Sequence, residues 1–174
     1  FRRVLFRSTA RGGWLIQPRV GLTETWTDNL TLRSTQRDAA LVTELSPGIS
    51  VRSNGGRLRG SLDYSLNGIY YTKSDERART QNALSAQGVA ELIESRFFVD
   101  MRANISQQST SAFGAQTPDN TLANPNRSEV ASVGVSPYLK GQLAGLAGYE
   151  LRGNYSATNT KDSQVGDSTV RGLA

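Results

Sequence analysis

The chain contains no cysteine and no histidine among its 174 residues. The absence of cysteine excludes a disulfide scaffold and a thiolate metal site. The absence of histidine removes the most frequent general base and the most frequent metal ligand. Paired carboxylates at a spacing suited to acid–base chemistry are not evident either. We therefore predict a protein that is not an enzyme and that carries no cofactor and no metal.

Long apolar runs are also absent, because no stretch approaches the ~20 apolar residues of a membrane-spanning helix. The net charge of +5 could suggest a nucleic-acid partner. Three of the basic residues, however, lie within residues 1–8, which resemble the translation of a sequencing-adaptor remnant. We exclude this segment from fold reasoning and expect it to pack against nothing; the alternative is a genuine basic N-terminal tail. Without it the charges nearly balance, and we predict no nucleic-acid partner.

Alternation of apolar and polar residues is the dominant pattern that is present. Between Arg57 and Tyr70, every second residue is apolar or glycine, and the positions between them hold all of the charge. Since successive side chains of a strand point to opposite faces, this segment predicts a strand with one apolar and one polar face.

Six further segments repeat the alternation, and long polar connections between them alternate with short ones. The predicted strands cover residues 14–26, 41–53, 57–71, 82–93, 96–107, 130–141 and 146–157, with an eighth beginning near 169. This arrangement is typical of an all-β, antiparallel up-and-down transmembrane β-barrel. We expect residues 9–174 to be the N-terminal part, about seven to eight strands, of a larger barrel.

Charged residues of these segments fall on the polar positions, with Glu24 the exception. The predicted lumen-lining set is Arg19, Glu44, Arg52, Arg57, Arg59, Asp63, Glu91, Asp100, Arg102, Lys140, Glu150 and Arg152. These side chains would either line a hydrated lumen that filters solutes or neutralise one another without a role in transport. Their mixed signs favour neutralisation, because a dedicated anion or cation pore shows one dominant sign.

Three prolines conflict with the simplest strand pattern. Pro18, Pro47 and Pro137 lie within predicted strands, on the apolar positions. Proline has no N–H to donate to a ladder and is usually found at edges or bulges. The three positions therefore predict bulges, strand ends or strands shorter than the alternation suggests.

A set of short motifs resembles the outer-membrane proteins associated with the PEP-CTERM/exosortase system of Gram-negative bacteria. In chain order the motifs are Trp14-x-Ile16-x-Pro18, Glu24-Thr25-x-Thr27-Asp28-Asn29, Pro47-Gly48-Ile49, Asp63-Tyr64, Ser106-Gln107-Gln108 and Ser136-Pro137-Tyr138. The resemblance covers roughly Trp14 to Tyr155, and each motif is weak by itself. The resemblance implies an outer-membrane location, contact with membrane lipid, and a role with exopolysaccharide or export machinery.

Asp28 and Asn29 at the first strand–loop junction have two interpretations. Asx side chains commonly bond backbone groups where a loop begins, which makes these residues a turn cap. The alternative is a calcium or sugar contact together with Asp38, since carboxylate oxygens suit calcium.

Two other functions compete with a barrel that serves export or polysaccharide assembly. One is a passive or structural porin-like barrel, and the other is a soluble secreted β-sandwich that binds carbohydrate. A sandwich usually has larger core side chains, whereas the apolar positions here are rich in alanine, glycine and single aliphatic residues. That composition favours lipid on one face and water on the other.

Overall fold

The computed structural model describes residues 2–5, 9–11, 13–32, 37, 39–72, 78–114, 122, 126–161 and 168–173, with the backbone alone for 2–5, 9–11 and 168–173. All regular secondary structure in these residues is β-strand. No helix in this part of the chain is long and apolar enough to cross a membrane.

Ten antiparallel strands form one sheet in the described part of the chain. They are β1 (Arg2–Leu5), β2 (Thr9–Arg11), β3 (Trp14–Thr27), β4 (Ala40–Ser53), β5 (Leu58–Thr72), β6 (Arg79–Ile93), β7 (Phe97–Ser109), β8 (Arg127–Leu143), β9 (Ala147–Thr160) and β10 (Ser168–Leu173). The all-β antiparallel class is confirmed, and each of the seven predicted strands corresponds to one of β3–β9. The strands extend up to three residues beyond the predicted segments at the loop end, because the loop-side residues continue the ladder, while β5, β7 and β9 begin one residue later than predicted.

The strands follow one another in space as they do in sequence. From β3 to β10 each strand pairs with the next, which is the up-and-down order. Short turns at 54–57, 94–96 and 144–146 alternate with the longer connections. Positive φ angles at Gly56, Ser95, Ala144 and Gly145 reverse the chain within these turns, as expected for tight hairpins.

Strands β1 and β2 both pair with the free edge of β3. Arg2–Leu5 lies antiparallel to residues 19–22, and Thr9–Arg11 lies antiparallel to residues 14–16. The expectation that residues 1–8 pack against nothing is therefore wrong for the backbone of Arg2–Leu5. An unpaired strand edge can pair with any extended segment, so this pairing leaves the origin of the segment open.

The register keeps polar and apolar residues on opposite faces of the sheet from β3 to β9. One cross-strand row consists of Gln17, Ser50, Asp63, Ser85, Asn104, Ser132 and Thr158. The adjacent row, on the opposite face, consists of Ile16, Val51, Leu62, Ala86, Ala103, Val133 and Ala157. We call the face of Asp63 the polar face and the face of Leu62 the apolar face.

The strands are staggered as well as paired. Trp14, the first residue of β3, lies in the same cross-strand row as Met101 in β7, Val135 near the middle of β8 and Tyr155 in β9. The rows thus climb from the turn end of the sheet toward the loop end from β3 to β9. Such a stagger accompanies strands that tilt relative to a barrel axis.

Each of the three prolines lies where pairing on one side of its strand is interrupted. Pro18 lies between the residues of β3 that pair with β1 and those that pair with β2. Pairing of β4 with β5 skips Ser46 and Pro47, and pairing of β8 with β9 skips Ser136 and Pro137. The strands continue through all three prolines, so the prolines mark gaps in the ladder, not strand ends.

The fully buried side chains form a small cluster at the loop end of the polar face. Val42 of β4 and Ile69 of β5 are buried with Ala40, and Leu30 from the β3–β4 loop lies against them with no exposed surface. Tyr71 and Leu122 pack against this group. The β3–β4 loop is therefore anchored on the polar face. The alternation did place Val42 and Ile69 there, but gave no sign that Leu30 would cover them.

We expect Gly60→Ala to destabilise the β5–β6 pair by about 1–3 kcal/mol, because the added methyl would overpack the ladder. A Cβ on Gly60 would collide with the carbonyl oxygen of Gln87 and lie 2.7 Å from the Cα of Gly88. The matched control is Gly134→Ala, whose Cβ would have its nearest neighbour at 3.9 Å. Urea midpoints of the refolded chain measure both, and equal midpoints would contradict the close approach.

We expect Leu30→Ala to loosen the β3–β4 loop by about 2–5 kcal/mol, as for other buried leucines. Trypsin should then cut faster after Arg37, in the β3–β4 loop, while the strands stay protected. Leu146→Ala is the control, since Leu146 is 92% exposed in a turn. An unchanged cleavage rate in the Leu30 variant would show that the cluster does not hold the loop.

Candidate functional site on the polar face

An arginine on β3 reaches across β4 to a carboxylate on β5. The Arg19 guanidinium donates to both oxygens of Asp63, at 2.6 and 2.8 Å, and to the hydroxyl of Ser50 at 2.8 Å. Ser50 in turn donates to Asp63. Gly48 permits this reach, since a Cβ there would lie 3.1 Å from the guanidinium carbon and 2.7 Å from the carbonyl oxygen of Tyr64. The bidentate geometry is the strong form of an arginine–carboxylate contact.

A second arginine, Arg152 on β9, joins two carboxylates. It donates to Asp100 on β7 at 2.6 Å, again two strands away, and to Glu150 at 3.0 Å. Lys140 of β8 lies 3.5 Å from the other oxygen of Glu150. All four charges therefore belong to one network at the turn end of the polar face.

Two aromatic rings underlie this network. Phe98 and Tyr138 stack with their ring centroids 5.1 Å apart. The Arg152 guanidinium lies 4.1 Å from the Tyr138 ring centroid, and the Lys140 ammonium lies 5.1 Å from it. Cations over ring faces are attracted by the ring quadrupole. These contacts explain why Tyr138 is buried on a polar face; the alternation showed its position but not its partners.

The remaining predicted acids of the polar face bond to neighbours close in sequence. Glu91 accepts a 2.5 Å hydrogen bond from the backbone N–H of Ser95 in the turn. Glu44 accepts one from the hydroxyl of Ser46 at 3.0 Å. Together with the two arginine networks, these bonds engage every acid of the predicted lumen-lining set.

Four arginines of the same set have no such partner. Within the described part of the chain, the side chains of Arg52, Arg57, Arg59 and Arg102 make no ion pair and no hydrogen bond, and all four are exposed. Arg52 and Arg102 share one cross-strand row, with Ser61 and Gln87 between them. Since Asp63, Asp100 and Glu150 are paired with cations whereas these arginines are not paired, the polar face keeps an excess of positive charge.

A depression of about 630 Å³, lined by both polar and apolar groups, adjoins these arginines. It extends across β6–β9, and its lining includes Gln87, Asp100, Arg102, Asn104 and Arg152. Hydroxyl and amide groups supply most of the other polar lining atoms. Such a surface can bond to a hydroxylated ligand and can hold a negative charge beside Arg102.

The exposed apolar side chains of the strands lie almost entirely on the opposite face. On that face are Trp14, Ile16, Leu22, Trp26, Leu41, Leu45, Leu58, Leu62, Tyr70, Leu92, Met101, Val133, Leu139, Leu143, Tyr149, Leu151 and Tyr155. Trp26 is the extreme case at 70% exposure. Monomeric soluble proteins rarely expose contiguous apolar patches larger than a few hundred Å². A face of this extent therefore needs an apolar covering.

The expectation that Glu24 is the one charge on the apolar face needs correction. Strand β8 begins three residues earlier than predicted, and this extension places Arg127 and Glu129 on that face. The Glu129 carboxylate accepts hydrogen bonds from the side chains of Asn82 at 3.2 Å and Gln107 at 3.3 Å. These residues lie at the loop end, where polar groups on a membrane barrel are expected.

The other motif residues lie apart from one another. Trp14, Pro18, Pro47 and Pro137 are on the apolar face, whereas Gly48 and Tyr138 are on the polar face. Asp28 and Asn29 lie in the β3–β4 loop.

The geometry around Asp28 and Asn29 is that of a loop start. The Asn29 N–H donates to the hydroxyl of Thr27 at 3.2 Å, and Asp28 lies 3.9 Å from Arg37. Asp38 is outside the described residues, so the calcium contact stays a prediction.

Taken together, the fold and the site define an all-β protein with one antiparallel sheet that is apolar on one face and charged on the other. No family model, curated protein or solved structure matches the chain. Its function is therefore argued from the physical character of these two faces.

We expect Arg152→Gln to lower the urea midpoint of the refolded protein and Arg102→Gln to leave it nearly unchanged. The first change leaves Asp100 without its 2.6 Å partner and removes the nearer of the two cations over Tyr138. The second removes an exposed charge without a partner in the described residues. A midpoint that falls equally in both variants would contradict the distinction between paired and unpaired arginines.

Proposed function

We propose that the chain forms the wall of an outer-membrane β-barrel in a Gram-negative bacterium, with a non-catalytic role in export or assembly of surface polysaccharide. In this arrangement the apolar face contacts lipid and the polar face lines the lumen. The covering lipid and an exported polymer are then the two partners.

The observation that carries the proposal is the continuity of the exposed apolar face across all seven long strands. Lipid satisfies such a face without a second protein layer, and the described strands belong to a single sheet. A sandwich would need a second sheet packed over the face that carries Trp26 and Leu62. Residues of this face such as Gly60, Ala86 and Gly88 are also small for a sandwich core.

Strand length and stagger also suit a membrane. Strands β3–β9 contain 13 to 17 residues each, and about 9–11 tilted residues cross the hydrocarbon layer. The extra residues would extend beyond the bilayer at the loop end. There the apolar face carries Asn82, Gln107 and Glu129, which lipid would not accept.

The role in polysaccharide export rests on the motif resemblance and on the polar lining. Serine, threonine, asparagine and glutamine side chains surround the charges of the polar face. They offer hydrogen bonds to the hydroxyl groups of a passing saccharide. The apolar cluster around Leu30 would narrow the loop end of the lumen, as an inward-folded loop does.

We expect Leu62→Arg to damage membrane folding far more than Ser61→Arg. Leu62 faces the apolar side, where an arginine at mid-bilayer costs about 2–4 kcal/mol. Ser61 faces the polar side, in the row that already contains Arg52 and Arg102. The two positions are adjacent on β5, so strand and depth are matched.

The measurement is refolding of the full chain into lipid vesicles, scored by heat-modifiable migration in gels. Equal refolding yields of the two variants would contradict the membrane assignment. So would efficient folding of the unchanged protein in buffer without lipid or detergent, since the sandwich predicts that result.

A further inference from the structure

We infer that the polar face binds an anionic polysaccharide, through Arg52, Arg59 and Arg102 with Ser61 and Gln87 between them. This inference deepens the proposed function, on which it rests, by naming the chemical class of the exported polymer. We call these five residues the arginine strip.

The preference of the polar face for anions arises from which of its side chains form ion pairs, and not from its overall composition. The sequence shows acidic and basic side chains intermixed on the polar face. In the fold, Asp63 is held by Arg19, and Asp100 and Glu150 are held by Arg152. Carboxylates do lie near the strip, Asp63 beside Arg52 and Asp100 beside Arg102, but Arg19 and Arg152 already pair with them, so an anion that enters the strip meets an excess of positive charge.

The spacing of the strip suits a polymer better than a small ion. Arg52 and Arg102 are separated by three strand spacings, so their Cα atoms lie about 14 Å apart. Arg59 is two residues from Ser61 along β5, or about 7 Å. One inorganic anion cannot contact all three guanidinium groups, whereas a chain that carries a charge on successive units can.

The neutral groups between the arginines suit hydroxyls. Ser61 and Gln87 lie in the same row as Arg52 and Arg102, and exposed Ser85 and Asn104 lie in the adjacent polar row. Guanidinium groups bind carboxylates through paired N–H donors, while these hydroxyl and amide groups bond to sugar hydroxyls. A sugar polymer with carboxylate substituents offers both kinds of contact.

Aromatic stacking is not available to the ligand at the turn end of this face. Phe98 and Tyr138 stack on each other, and Arg152 and Lys140 lie over their rings. Proteins that bind single-stranded nucleic acid rely on open aromatic faces for the bases. The structure therefore favours an acidic saccharide over a nucleic acid of similar charge.

The test is calorimetric titration of the refolded full chain in neutral detergent micelles. The probes are oligogalacturonate, neutral dextran of similar length, and oligothymidylate of similar charge. We expect oligogalacturonate to bind more tightly than either of the other probes. Its binding should weaken as salt rises, because exposed charges are screened over about 10 Å at 0.1 M salt.

Variants separate the arginine strip from the overall charge. Arg102→Gln should weaken oligogalacturonate binding about two- to fivefold, and Arg52→Gln/Arg59→Gln/Arg102→Gln about tenfold, as for exposed ion pairs. Arg37→Gln, the same change in the β3–β4 loop, should leave binding unchanged. The single variant keeps the test decisive if the triple variant folds poorly.

Three results would overturn the inference: oligogalacturonate binding no tighter than dextran binding, oligothymidylate binding at least as tight, or variants of the strip that bind like the unchanged protein. Vesicle refolding reports on the barrel independently. A protein that inserts into vesicles but ignores oligogalacturonate would refute the anionic ligand and leave the proposed barrel intact.

Discussion

The antiparallel hydrogen-bond ladder, unshifted over most of its length, is the constraint on which the rest of the structure depends. Because side chains alternate along a strand, a slip of one residue between any two strands would exchange their faces. Across the seven long strands the pairing preserves this alternation. A shift of register between β6 and β7 lies next to their turn, between Glu91 and Ile93. The two faces, the ion-pair networks and the arginine strip all follow from that register.

Alternation in the sequence was enough to predict β3–β9, their order and the faces of the residues within the predicted segments, but it did not predict the pairing of β1 and β2 with β3. Strand ends were less predictable, because pairing with a neighbour extends a strand into residues that have no alternation of their own. Strand β8 shows the consequence, since its first residues bring Glu129 onto the apolar face. The burial of Leu30 could not be predicted from the sequence either, because it depends on how the β3–β4 loop returns over Val42 and Ile69.

The candidate site was likewise predictable in part. Sequence position placed most charged residues on one face, with Arg127 and Glu129 missed, and it could not show which charges meet. Arg19 and Asp63 lie two strands apart, as do Arg152 and Asp100. Such contacts depend on side-chain length across an intervening strand, which must offer a small residue such as Gly48. Because of such contacts, every acid of the predicted lumen-lining set is bonded to a neighbour, whereas four arginines of that set make no ion pair or hydrogen bond in the described residues.

Two of the gaps beside the prolines lie close to the two arginine networks of the polar face. Pairing is interrupted between β4 and β5 at Pro47 and between β8 and β9 at Pro137, while the ladders from β5 to β8 continue between these two seams. A missing rung removes a hydrogen bond that resists bending about the strand direction. Each seam is, however, crossed by an arginine: Arg19 reaches over β4 to Asp63 on β5, and Arg152 reaches over β8 to Asp100 on β7. The two ion pairs therefore restore between side chains a connection that the prolines remove from the backbone.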